Sequence, residues 1–391
     1  MPHFPFLIKS KLPKIGTTIF TIMSSLAAEH KAINLSQGFP DFAASEDLIG
    51  HVNEYMRKGM NQYAPMQGIL PLREGLAEKA EDLYGISYNP DSEITISSGG
   101  TEAIYTAITA IIHEGDEVIV FEPAYDCYVP AIQLAGGIPV YISLKSPDFS
   151  IDWQELKKVI THKTKMIIIN TPHNPAGSVM TADDMRELEK IVTGTEICII
   201  SDEVYEHIIF DNLRHESIML YPGLAERSFV VFSFGKTYHT TGWKIGYCFA
   251  PANLMAEFRK VHQFVVFSAN TPIQYALAEF IKNKNYLDLS GYYQEKRDYF
   301  LRLIKGSRFQ YKPAKGSYFQ CLNYSSITNE KDTDFAIRLT KEFKIASIPV
   351  SVFYHEGTDN KILRFCFAKK NETLEMAAEK LCSVVETGIR Y

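Results

Sequence analysis

The stretch SFGKTYHTTGWKIGY, Ser233 to Tyr247, follows directly on the apolar run FVVF. A lysine, Lys236, therefore stands where a strand leaves the core. An ammonium held there is desolvated, which lowers its pKa and makes the neutral, nucleophilic amine accessible near neutrality. A lysine at a mere surface exit gains nothing of the kind, so the surrounding chain has to decide between the two.

Seven runs share the character of this one: EITIS (93–97), EVIVF (117–121), IPVYI (138–142), KMIIIN (165–170), EICIIS (196–201), SFVVFSF (228–234) and KIGYCFA (244–250). Each is short, rich in β-branched or aromatic residues and bounded by Gly, Pro, Asp or Asn, as strands are. Helical segments lie between them, such as 101–115 and 181–192, the second opening on Thr181 with Asp184 three residues on. Continuous apolar strands alternating with helices predict an α/β fold, a mostly parallel sheet covered by helices on both faces. Ligands of such sheets bind at the carboxyl ends of the strands, where Lys236 sits. From about residue 253 the pattern turns helical, with a long helix near 284–305. A smaller α+β unit follows, with GSYFQCL and ILRFCFA as strands and 332–343 and 372–386 as helices. The expected division is an N-terminal arm and part of the small domain over 1–45, a large domain over 46–283 and a C-terminal small domain over 284–391.

With 391 residues, 46% apolar and 22% charged, the chain has the composition of a soluble globular protein. A net charge of −6 with no Lys/Arg cluster argues against nucleic acid. No apolar stretch reaches the length of a membrane span. The six cysteines are scattered, several inside apolar runs, and form no C-x-x-C pair. Reduced thiols and a cytoplasmic location are expected, and no metal site.

Five constellations fall at strand ends. Gly100 and Thr101 in SSGGTEA open a helix whose free N–H groups can receive an anion. Tyr125 in EPAYDCY offers an aromatic face. Asn174 lies in the irregular loop NTPHNPAGS. Asp202 in SDEVYEH is a carboxylate that burial makes expensive unless a cation meets it, and Tyr205 follows three residues on. Ser233, Lys236 and Lys244 complete the set. Singly, each suits ordinary packing or turn chemistry. Jointly they supply a phosphate cradle, a ring stacker, a phenolic donor, a carboxylate for a ring nitrogen and an amine for an aldehyde, the requirements of pyridoxal 5′-phosphate.

The ordered motifs LPKIGTTIF, INLSQGFPDF, NQYAPMQGILPLRE, SSGGTEA, EPAYDCY, NTPHNPAGS, SDEVYEH, SFGKTYHTTGWKIGY and LRFCFAKKNETL make the chain resemble, along nearly its whole length, the class I/II aminotransferases of fold type I. Within them it is similar to the branch of methionine aminotransferases and kynurenine/glutamine transaminases. The resemblance implies that Lys236 forms the Schiff base, that Asp202 pairs with the pyridinium nitrogen, and that Tyr205 and Asn174 donate to the ring O3′. It implies Gly100, Thr101, Ser233 and Lys244 for the phosphate and Tyr125 for ring stacking. Tyr63 is implied to reach the phosphate of the neighbouring subunit, which makes a homodimer with shared sites. Arg364, with Gly38 and Asn174, is implied to hold the substrate α-carboxylate. Many members carry arginine where Lys244 stands; the lysine form matches the kynurenine/glutamine branch and presents a point charge instead of a fork.

The implied reaction moves the amino group of a donor amino acid to a 2-oxo acid by a ping-pong cycle, with Lys236 as the acid–base group. No second arginine stands out for a side-chain carboxylate. The segments expected near the pocket are apolar and aromatic, with Ile19, Phe20, Tyr63, Phe264 and Phe267. Such a pocket suits methionine, where sulfur–aromatic contacts are favourable, and also Phe, Tyr, Leu and Gln. The alternative is a kynurenine/glutamine transaminase with cysteine-conjugate β-lyase side activity.

Overall fold

The computed structural model describes residues 3–384. A two-residue strand, β1 (Ile33–Asn34), precedes the central sheet. That sheet is built from β2 (Ile94–Ser97), β3 (Glu117–Glu122), β4 (Ile138–Ser143), β5 (Thr164–Asn170), β6 (Cys198–Asp202), β7 (Ser228–Ser233) and β8 (Gly246–Phe249). Its order is β2-β8-β7-β6-β5-β3-β4. Neighbours from β7 through to β4 run parallel, and only β8 is antiparallel to its neighbours, β2 and β7. All seven predicted runs are its strands, and the α/β architecture follows.

Alternation along the strands explains why they are apolar throughout. Ile119, Ile167, Ile169, Ile199, Val230 and Phe232 enter one core cluster. Val118, Val120, Met166, Ile168, Ile200, Phe229 and Val231 enter the other. Successive side chains point to opposite faces, so a sheet covered on both sides has no polar stripe. Each such side chain contributes on the order of 1.5–3 kcal/mol by burial. The helix Gly100–Ile111 covers the second face through Ala103, Ile104, Ala107 and Ile108. The helix Ala182–Val192 covers the first through Met185, Leu188 and Val192. The latter starts in a capping box: Thr181 Oγ1 accepts from Asp184 N at 3.2 Å, and Asp184 Oδ2 accepts from Thr181 N at 2.8 Å.

Beyond the central sheet, β9 (Phe319–Asn323), β11 (Ile348–Pro349) and β12 (Ile362–Cys366) form an antiparallel sheet with β12 in the middle. β10 (Ile345–Ala346) pairs with β1. The helix Ile19–Glu29 buries Met23 and Ala27, whereas every residue from 3 to 18 except Leu12 is exposed. The continuous helix expected near 284–305 is interrupted. Lys284 takes a left-handed backbone (φ 51°), a short 3₁₀ turn covers Asn285–Asp288, and the α-helix runs only over Leu289–Leu303. The last helix is Asn371–Ser383; Val385 and Glu386, included in the sequence expectation, lie outside the described residues.

Candidate active site

Parallel strands deliver their carboxyl ends to one edge, and the antiparallel β8 begins there. The register pairs both Ser97 and Ser233 with Gly246. A cavity of about 420 Å³ opens at this edge, within the range of small-molecule sites. It is lined by Gly38, Gly100, Thr101, Tyr125, Asn174, Asp202, Tyr205, Ser233, Lys236, Lys244 and Arg364. Of the residues expected to act in catalysis or to hold cofactor or substrate, Tyr63 alone is elsewhere among the described residues. It is 84% exposed and in edge contact with Phe267, with ring centres 5.3 Å apart. Of the expected apolar wall, Phe20 lines the cavity but Ile19, Phe264 and Phe267 do not; Phe264 is 87% exposed. Phe39, Ile104 and Phe319 line it instead.

At the β2 end the chain turns through Gly99 (φ 82°) into the helix Gly100–Ile111, with no capping side chain over its first N–H groups. Lys244, itself left-handed at φ 55°, lies directly against this turn: a Cβ on Gly99 would meet its Nζ at 3.2 Å. Uncapped amides, the positive helix end and one ammonium together make a receptor for an anion.

At the β6 end Asp202 is buried, and its carboxyl is pushed up to about 6, burial outweighing the stabilising bonds. Tyr128 donates to Oδ2 at 2.6 Å, while Oδ1 has only a long contact from Val204 N at 3.4 Å. A carboxylate this buried and this poorly satisfied is poised for a cationic N–H. Asn170 ties the next loop to the same strand end. Its Nδ2 donates to Asp202 O at 2.8 Å, and its Oδ1 accepts from Asn174 N at 2.8 Å.

Lys236 sits one turn beyond β7. Burial pulls its ammonium down to about 8, with Lys244 and Arg364 acting in the same direction. Its Nζ donates to Gly38 O at 3.3 Å and lies 5.7 Å from the centres of the Tyr205 and Tyr318 rings. Desolvation also keeps the Tyr205 phenol protonated, raising its pKa.

Across the cavity Arg364 is 1% exposed. Sequence alternation placed it opposite Leu363 and Phe365; in the structure both faces of β12 are buried. Nη1 donates to Asn174 Oδ1 at 2.7 Å and Nη2 to Ser36 O at 2.7 Å. Nε has no hydrogen-bond partner, and among the described residues no carboxylate forms an ion pair with it. The Phe319 ring lies 3.9 Å from its Cζ and Phe20 5.2 Å. An unpaired buried guanidinium stacked on aromatic rings is a seat for an anionic ligand.

Tyr128, Asn170, Tyr318 and Phe319 were not singled out from sequence. Tyr128 had a usable signal, since it lies one helical turn after Tyr125 at the same strand end. Asn170 had one too, standing directly after the apolar run of KMIIIN at the head of NTPHNPAGS, whereas Tyr318 and Phe319 had none.

The sequence profile described as aminotransferase class I and II matches residues 30–381. The chain belongs to the class I and II aminotransferases. This aminotransferase is 49% identical to the methionine aminotransferase of Escherichia coli (strain K12), over 97% of its own length and 99% of that protein's. It is 34% identical to kynurenine–oxoglutarate transaminase 1 of Homo sapiens, over 91% and 93% of the two chains. Among solved structures it superposes on YbdL from Escherichia coli, described as having a methionine aminotransferase function, with a TM-score of 0.94 at 49% identity, covering 96% and 99% of the two chains. It also superposes on N-succinyldiaminopimelate aminotransferase from Mycobacterium tuberculosis with a TM-score of 0.93 at 32% identity, covering 97% and 100%. The fold expected from sequence is thus the fold of the family.

Proposed function

We propose that this aminotransferase moves the amino group of methionine, and of other apolar or aromatic amino acids, to a 2-oxo acid, using pyridoxal 5′-phosphate held in the cavity. The residues fit that cofactor: the uncapped helix start with Lys244 for its phosphate, the half-satisfied Asp202 for its ring nitrogen, and Lys236 for its aldehyde. Bound there, it supplies an aldehyde and an electron-withdrawing ring that holds the negative charge left when a Cα–H bond breaks.

The chain's own groups do the rest. Arg364 grips the α-carboxylate and so fixes which substituent on Cα faces Lys236. The Lys236 amine, half neutral near pH 8, takes the Cα proton on Nζ and returns it as an acid. Asp202 keeps a proton on the ring nitrogen by its negative charge.

The observation that carries the substrate reading is the cation inventory of the cavity. Among the described residues, Lys236, Lys244 and Arg364 are its only basic lining residues, and each already has a role in this reading; the remaining wall includes Phe20, Phe39, Ile104 and Phe319. A side-chain carboxylate finds no partner there, whereas a thioether meets aromatic edges. The similarity to the Escherichia coli methionine aminotransferase supports the same choice. A donor panel tests it. Methionine is expected to exceed aspartate in kcat/KM by about 10²-fold or more, the penalty of an unpaired buried charge; aspartate ahead of methionine would sink the reading. Kynurenine ahead of methionine, or pyruvate and ammonia from cysteine conjugates, would move it to the transaminase/β-lyase alternative.

The working form in this reading is a homodimer with shared sites in a reducing cytoplasm. The exposed Tyr63, Phe264 and Phe267 support the dimer, because they leave aromatic surface uncovered outside the chain's own cavity. A light-scattering mass equal to the single chain's 44.3 kDa would contradict it.

A further inference from the structure

The backbone carbonyl of Gly38 receives two donors of different origin. One is Lys236 Nζ at 3.3 Å; the other is the hydroxyl of Tyr318 at 2.5 Å. The rest of the segment is tied down from behind. Leu35 O accepts from Cys366 N, Ser36 O from Arg364, Phe39 O from Lys369, and Asp41 from Lys370 N and Thr373. None of these bonds touches the Gly38 carbonyl oxygen itself. Phe39 N, in the same peptide unit, donates to Gln37 O at 3.1 Å, and Tyr318 is the side chain besides Lys236 that anchors the oxygen.

Tyr318 is fully buried between the rings of Tyr205, Phe319 and Tyr293, with centres 5.1, 5.0 and 5.7 Å away. It is aimed by an unusual backbone: Ser317, a non-glycine residue of 0% exposure, takes φ 60°. Non-glycine residues rarely hold this conformation, and they persist where the surroundings over-determine them, often at active sites. Gly38 itself is confined, because a Cβ would meet Phe319 Cζ at 2.5 Å and Tyr318 Cε2 at 3.3 Å.

We propose that Tyr318 is a positioning residue for proton transfer: by fixing the Gly38 carbonyl it orients the released Lys236 amine toward the substrate Cα. This rests on the reaction proposed above. A neutral amine has two N–H bonds and one lone pair. Anchoring one N–H on a fixed carbonyl restricts rotation about the terminal C–N bond and directs the lone pair. When the amine takes the Cα proton, the new N–H is its third, and the same carbonyl continues to accept. A misplacement near 1 Å at such a centre can lower a rate by about 10²-fold.

The test is Tyr318→Phe in the cofactor-loaded enzyme with methionine as donor, beside wild type. Phenylalanine keeps the ring contacts and removes only the hydroxyl. The expected result is kcat lowered about 10-fold with KM within about twofold, and a larger kinetic isotope effect with Cα-deuterated methionine, because proton transfer has become slower. The pH midpoint of the resting cofactor absorption band should not move, since Tyr318 acts on the amine only after its release. Unchanged kcat and isotope effect would overturn the proposal. So would a rise in KM alone, a shifted midpoint, or loss of folding, each of which assigns Tyr318 to substrate binding, to Tyr205 or to stability. A wild type that does not turn over methionine or any other amino acid would instead remove the functional reading beneath it.

Discussion

Asp202 combines burial with the charge that the proposed function gives it, and the conflict is measurable. Its carboxyl is pushed up to about 6 by desolvation, against an ordinary value near 3.9. Because the folded value is raised, the favourable contribution is fully present below pH ~4 and is lost as pH rises through about 6. Near neutrality the cofactor-free protein therefore carries a penalty on the order of 3 kcal/mol. Asp202→Asn is expected to raise the melting temperature of the cofactor-free protein at pH 7.5, with a smaller gain at pH 5, while lowering transamination at least about 10²-fold. Equal melting of variant and wild type at both pH values would contradict the buried-charge reading. Legibility at this scale followed sequence neighbourhood. Lys236, Asp202 and Asn174 each stand just past an apolar run, so position alone marks them. Tyr128 and Tyr318 act on Asp202 and Gly38, 74 and 280 residues away in sequence. Tyr128 at least follows Tyr125 at a strand end, but no local pattern announces the Tyr318 bond, and a buried tyrosine is otherwise ordinary core.

Elements were most legible where one physical cause dominated. Burial on both faces imposes a continuous apolar run, and each of the seven runs became a strand of the central sheet. Ends were less legible. KIGYCFA was expected as a strand from residue 244, but β8 starts at Gly246, because Lys244 turns left-handed to reach the helix start. The helix expected from 284 likewise begins at Leu289, after the left-handed Lys284. The meeting of β2, β7 and β8 beneath the anion site depends on a missing side chain. A Cβ on Gly246 would lie 2.7 Å from Phe232 O, 2.8 Å from Gly100 N and 2.8 Å from Gly99 C. All three are backbone atoms, so none can swing aside. Gly246→Ala is expected to weaken pyridoxal phosphate binding at least about 10-fold and to lower the melting temperature, since overpacking typically costs about 1–3 kcal/mol. Unchanged affinity in a fluorescence titration would show that the strand junction does not shape the cradle.

At the scale of the whole molecule, the cavity joins two parts of the chain that are far apart in sequence. Lys236, Asp202 and the helix start come from the central sheet, while Arg364 comes from the middle strand of the second sheet and Gly38 from the segment laced to it. The class of fold was legible because the alternation of elements carries it. The position of Arg364 was legible only through resemblance, since an arginine between Leu363 and Phe365 suits an exposed edge equally well. The exposed aromatics around Tyr63 were placed by sequence beside the pocket, and within one chain they lie outside it. The reaction itself unites these parts, and one half of it can be observed alone. Purified enzyme loaded with pyridoxal phosphate would be mixed with methionine and no 2-oxo acid, and its absorption recorded. The expected result is loss of the band at roughly 360–420 nm, growth near ~330 nm and one equivalent of the methionine-derived 2-oxo acid per active site. A spectrum that methionine and every other amino acid leave unchanged, or a band that never forms on adding pyridoxal phosphate, would contradict the assignment of Lys236, Asp202 and Arg364 to a single transaminating site.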